Sequence, residues 1–232
     1  MEDLSARRTP RISLSEAQPP EHQPSLRLLT TAEYEQMIAA GIFNEDDRVE
    51  LLEGVIVEMS PKGVRHAAST DRAARYFLRL LGERVIVRNQ NPIQLNDHSE
   101  PEPDLVLAAP EEFEYAFRHP RSKDVCLVLE VADTTLAYDR LSKGPSYARA
   151  GIVQYLILNL NEMEIEDYRE PSADGYRSKR TYTMGQSFDL VTFPGIKVKV
   201  SDLLLPPAQK VRTAKKSGRS VKAGKSPRRK AR

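Results

Sequence analysis

The sequence predicts an α/β fold, a mixed β-sheet flanked by helices, and three observations carry that reading. Short β-prone runs are interleaved with two segments of helical spacing. The run at residues 125–132, VCLVLEVA, is apolar on both alternating faces apart from one acid, as expected of a strand covered on both sides. At 232 residues, with 40% hydrophobic and 29% charged content, the chain is long enough for one core plus tails.

Taken in order, residues 1–26 are rich in Pro, Ser, Arg and Glu without an apolar period and read as a disordered leader. Thr30 and Glu33 have capping-box spacing before AEYEQMIAA, and Gly41 closes that helix. RVELLEGVIVEM places two β-prone runs around Glu53-Gly54, a hairpin signal, with Glu50 on the first strand. HAASTDRAARYFLRLLG spaces Ala73, Ala74, Phe77, Leu78 and Leu81 as the packing face of a helix that ends at Gly82. RVIVRNQNPIQL, DLVLAA and DVCLVLEVA follow as three strands of one sheet, and the acidic, aromatic loop before the last has no evident role. A helical stretch at residues 134–150 is interrupted by Gly144-Pro145, where a bend or a late start is expected. IVQYLILNL is the next strand, then EIEDYRE and YRSKRTYTM form a hairpin around PSADG, and FDLVTF and VSDLLLP close the domain.

The single cysteine, Cys126, excludes an internal disulfide and behaves as a small hydrophobe within its strand. No run of eighteen apolar residues and no apolar leader core is present, so a cytoplasmic protein without membrane contact is expected. The net charge of +2 hides an asymmetry: residues 208–232 hold eleven Lys and Arg and no acid, leaving a body with 24 basic and 33 acidic residues, a net of −9. That basic tail reads as disordered, serving either as a sequence-independent grip on phosphates or as a solubilising segment.

Glu130 is the anomaly of the central strand, because an unpaired buried charge is costly. Asp104 heads an apolar strand 26 residues upstream, a separation that suits a neighbouring strand, so two carboxylates would converge. Carboxylates held together raise each other's pKa unless a cation lies between them. A hard divalent ion held by one or two carboxylates and several waters meets that need, and it can activate water for attack on phosphorus. Lys143 adds a positive charge for the transition state or the attacking water. On spacing alone, however, Asp139 and Lys143 at i and i+4 are more often a solvated surface pair than a catalytic device.

At these residues the chain resembles a known family. VELLEG, MSPKG followed by His66, PEPDLVLAA, VLEVADTTLAYDRLSKGPSYARAGIVQYLILNL and FPGIKVKVSDLL, in this order over residues 28–206, are similar to the bacterial Uma-type endonucleases. That family is placed in the PD-(D/E)XK superfamily of restriction-endonuclease-like phosphodiesterases. The resemblance implies a restriction-endonuclease-like mixed sheet over residues 27–207, with Asp104 and Glu130 as metal ligands and Lys143 as the catalytic lysine. It also implies that Glu50 is an accessory acid near the metal and that His66 lines the site. Where the superfamily usually places its lysine, two residues after the glutamate, this chain has Ala132; the family's version moves it to the following helix, where Lys143 matches. The serine expected after the Glu-Val pair is replaced by Ala132-Asp133, and the tryptophan expected in the last core strand is Leu156.

The function expected on these grounds is a phosphodiesterase dependent on Mg²⁺ or Mn²⁺ that hydrolyses nucleic acid, DNA foremost, with a metal-activated water. Competing readings are a catalytically silent nucleic-acid-binding or regulatory module on the same fold, and an acidic body that recognises a protein while the tail acts as a localisation signal. Nucleases of the superfamily often dimerise, so a homodimer is compatible with the resemblance, although nothing in the chain signals one.

Overall fold

The computed structural model describes residues 25–44 and 46–205. The basic tail and all but the last two residues of the expected leader lie outside these. Helix α1, Thr31–Ala39, carries the expected capping box: the Thr30 side chain accepts from Glu33 N–H and the Glu33 side chain accepts from Thr30 N–H. The hairpin forms from β1, Val49–Leu52, and β2, Val55–Glu58, in antiparallel register. Both turn residues, Glu53 and Gly54, have positive φ, the two-residue geometry whose twist matches the strands. Gly54 is also required by space, since a Cβ there would lie 2.5 Å from Leu28 Cβ.

Helix α2, Val64–Leu81, lays Ala73, Ala74, Phe77 and Leu81 on the sheet. Leu78, expected on that face, is instead 57% exposed, because it stands one residue and so about 100° round the helix from Phe77.

The sheet has six strands: β3 (Ile86–Arg88), β4 (Leu105–Ala108), β5 (Val125–Ala132), β6 (Gln154–Asn159), β7 (Glu164–Ser172) and β8 (Gly175–Thr183), in that spatial order. All neighbours are antiparallel except β5 and β6, which are parallel and therefore need a helical crossover. Residues 84–95 do not form the long strand expected of them; only Ile86–Arg88 pair with β4. Gln90 turns the chain with φ of +51°, and Pro92 offers no N–H to a ladder. The loop at 109–124 is a compact turn anchored by buried Tyr115, whose hydroxyl donates to Ala109 O at 2.8 Å. Beyond the sheet, β9 (Ser187–Asp189) pairs with β10 (Lys197–Lys199), and VSDLLLP supplies the short helix α5, Val200–Leu203. FDLVTF is thus strand only at its start.

Burial on both faces of β5 follows its sequence alternation. Leu127, Leu129 and Val131 join α2 in one core, while Val128 and Ala132 join Tyr147, Ile152 and Tyr155 in the other. Glu130 has the parity of the second set, so its side chain faces the crossover helix and not α2. Among the described residues no helix is long and apolar enough to cross a membrane.

Candidate active site

The crossover decides the site. It runs as α3 (Leu136–Tyr138), a π-helical segment Asp139–Lys143, and α4 (Gly144–Arg149), so the expected break at Gly144-Pro145 is a widened turn within a continuous helical run. Gly144 N–H donates to Asp139 O five residues back. A Cβ at Gly144 would stand 3.2 Å from that oxygen and 3.4 Å from the Tyr155 ring, so the turn closes only over a glycine or with displacement of its neighbours. Pro145, which has no N–H, is the second residue of α4, directly after the widened turn. Single π-turns of this kind recur at functional sites. Here Asp139 and Lys143 are 3% and 5% exposed, which overturns the surface-pair reading.

Lys143 Nζ lies 3.0 Å from Glu130 Oε1 and 3.1 Å from Glu50 Oε2. Tyr147, one turn further on, donates its hydroxyl to Glu130 Oε1 at 2.8 Å. Adjacent strands interlock the two central acids: Asp104 N–H donates to Glu130 Oε2 at 3.1 Å, and Val131 N–H to Asp104 Oδ2 at 2.9 Å. His66 Nε2, from the start of α2, stands 2.9 Å from Asp104 Oδ2, and Lys62 Nζ lies 3.1 Å from Oδ1. Glu50 accepts from the Tyr138 hydroxyl at 3.1 Å and from Glu102 N–H at 2.9 Å. Glu50, His66, Asp104, Glu130 and Lys143 thus all border one cleft of about 510 Å³.

The electrostatics of this cleft are uneven. Burial raises the Asp104 pKa, but His66, Lys62 and the Val131 N–H outweigh it and hold the carboxyl at about 2. Burial lifts Glu130 to about 8 against the pull of Lys143, with Asp104, Asp139 and Glu50 adding to the rise. Its three hydrogen-bond donors, Asp104 N–H, Lys143 and Tyr147, favour the charged form and limit that rise without cancelling it. Asp139 is lifted to about 6, chiefly by burial, although Thr135 donates to it at 2.7 Å. Burial opposes the charge of Lys143, yet Glu130, Glu50 and Asp139 prevail and raise its pKa further, keeping it an ammonium.

Glu50, Asp104, Glu130 and Asp139, all nearly sealed from solvent, therefore outnumber Lys62 and Lys143. A hard divalent cation suits this donor set in chemistry: oxygen ligands from two adjacent strands, with open cleft volume for water. Among the described residues no three His, Cys, Asp or Glu side chains stand as a ready-made cage, and Lys62 and Lys143 lie against the carboxylate oxygens.

Lys62, Glu102, Tyr138 and Asp139 complete the cleft, and Tyr147 supports Glu130 from behind it, without having been singled out as site residues. The available signals were the position of Tyr147 four residues after Lys143 and of Lys62 just ahead of α2.

Comparison with known proteins agrees with this fold. The sequence model of the Uma2 family, described as "Putative restriction endonuclease", matches residues 31–201. The crystal structure of "a putative nuclease belonging to DUF820 from Anabaena variabilis" superposes with a TM-score of 0.59 at 14% identity, covering 75% of this chain and 97% of that one. No curated protein matches the chain.

Proposed function

The chain belongs to the Uma2 family, and from that premise we propose that it is a metal-dependent nuclease of the PD-(D/E)XK type acting on DNA. The observation that carries the reading is Glu130, a sealed carboxylate that meets both Asp104 and Lys143 in an acid-rich cleft. Asp104 and Glu130, with Glu50 beside them, would hold Mg²⁺ or Mn²⁺. Such an ion polarises a phosphoryl oxygen and lowers the pKa of water, which supplies the nucleophile.

The chain's own groups do the rest. Lys143 is held as an ammonium and so contributes charge, not basicity, to the phosphoryl oxygens as negative charge develops on them. Tyr147 and the Asp104 N–H fix the Glu130 carboxylate in place. His66 and Lys62 keep Asp104 ionised. The basic tail would recruit DNA electrostatically, which the acidic body opposes.

A second reading, a nucleic-acid-binding module without turnover, draws on the lysines that already neutralise the carboxylates. Supercoiled plasmid and single-stranded DNA, offered with Mg²⁺ or Mn²⁺ and with chelator, separate the two. We expect metal-dependent cleavage that is lost in Glu130→Ala and Lys143→Ala. Cleavage that survives chelator or Glu130→Ala overturns the mechanism, and binding without cleavage of any substrate favours the module.

A further inference from the structure

Glu100 differs from every other buried acid among the described residues. Its side chain is 2% exposed, and Oε2 is enclosed without a hydrogen-bond partner among the described residues. The nearest nitrogen able to carry charge, His119 Nε2, is 3.9 Å from Oε1, beyond hydrogen-bond reach. Burial, with Arg88 near, keeps that imidazole below its usual pKa, so it does not serve as a counter-ion. Burial together with Glu35 and Glu102 holds Glu100 itself at about 7, and no cation among the described residues offsets them. The backbone leaves it no retreat: Glu100 N–H donates to Leu51 O of β1 at 2.8 Å, and Pro101 follows.

Glu100 lines a second cleft of about 270 Å³, separate from the active-site cleft and walled by Tyr34 and Ile38 of α1, Pro92, Glu102 and His119. A buried polar group without a partner is rare in folded proteins, and a carboxylate there destabilises the fold unless something meets it. An acid at the base of partly apolar walls matches a cation carried on a hydrocarbon stem. A bare divalent ion would need several converging ligands, and no such set of three stands among the described residues. A phosphate would be repelled by Glu35, Glu100 and Glu102.

We propose that this cleft binds a guanidinium or alkylammonium group, with Glu100 as its counter-ion and Tyr34, Ile38 and Pro92 enclosing the stem. The site does not depend on the nuclease reading, although Glu102 borders both clefts and its N–H holds Glu50. Two sources share this chemistry: a free amine or basic side chain of another molecule, and the Lys and Arg of residues 208–232.

The test is calorimetric titration of the full chain with agmatine, beside Glu100→Gln and a full-length form whose tail Lys and Arg are replaced by Gln. We expect saturable binding that weakens at least tenfold in Glu100→Gln. Tighter binding by the tail-substituted form than by the parent identifies the tail as the occupant, and equal binding identifies an outside amine; both support the site. Glu100→Gln should also raise the Tm of the free protein, since it removes an unmet charge, whereas a merely structural acid would lower it. Equal binding by parent and Glu100→Gln, no saturable binding by either the parent or the tail-substituted form, or a lowered Tm in Glu100→Gln overturns the proposal.

Discussion

Glu130 on β5 and Glu166 on β7 flank the same residue, Ile157 of β6, so the two carboxylates lie in one cross-strand row on one face of the sheet. Both are sealed from solvent, and one π-helical segment serves both: Lys143 reaches Glu130 and Arg140 reaches Glu166. Their chemistry nonetheless diverges. Glu166 receives the Arg140 guanidinium on both oxygens, Lys179 at 3.0 Å and the Tyr168 hydroxyl at 2.6 Å. Burial pulls its pKa up, but these partners win and bring it to about 2. Glu130 shares a single ammonium with Glu50 among further carboxylates and rests at about 8. Saturated with cations, an acid in this row braces the sheet. Left short of cations beside a cleft, the same side chain is suited to binding a metal or a reacting group.

Paired substitutions test that contrast most severely. Glu130→Gln should lower DNA cleavage by at least about 10²–10³-fold, the scale for removing one preorganised electrostatic group. Lys143→Ala should fall in the same range. Glu166→Gln should leave cleavage intact and destabilise the fold by about 1–3 kcal/mol, less than a wholly buried pair would lose because Arg140 and Lys179 regain water. Plasmid cleavage and urea denaturation read the two effects. Loss of cleavage in Glu166→Gln comparable to that in Glu130→Gln would erase the distinction between brace and active centre.

Metal sharpens the same contrast from the other side. An ion that binds only the folded chain stabilises it by about 2.7 kcal/mol at a hundred times its Kd. Mg²⁺ or Mn²⁺ should therefore raise the Tm of the parent and of Glu166→Gln, and should not raise that of Asp104→Asn. A rise of equal size in Asp104→Asn would remove Asp104 from the ligand set.

Much of this arrangement was legible in the residues. An acid in a strand apolar on both faces marks Glu130, and Asp104 at the head of the preceding strand pairs with it as the spacing suggests. Glu53-Gly54 announces the hairpin that carries Glu50. What physics could not read was Lys143. A period of 3.6 residues sets it beside Asp139 on a solvent face, and only the resemblance drew it inward. The π-turn does this in the structure, and its one local trace is a glycine followed by a proline. Tyr147 was obscured for the same reason. Residues 84–95 misled because their apolar spacing resembles a strand while Gln90 and Pro92 turn the chain away, and Glu100 lies in the connection that follows.

The smallest effects concern pH, and there the two glutamates should act with opposite sign. Glu166 has a folded pKa of about 2 against an ordinary 4.5, so its contribution is complete above 4.5 and is lost as pH falls from there toward 2. Asp104, at about 2 against 3.8, adds to the same acid limb. Glu130 is raised to about 8, so between 4.5 and 8 the folded chain holds its proton more tightly than the unfolded chain. Stability from that group therefore declines as pH rises through the window. In urea midpoints measured across pH, Glu166→Gln should flatten the acid limb and leave the neutral one, while Glu130→Gln should flatten the slope between 4.5 and 8. An acid limb unchanged in Glu166→Gln would mean that Arg140 and Lys179 do not hold that carboxylate as tightly as their positions imply, and the two acids of the row would differ in neighbours but not in energy.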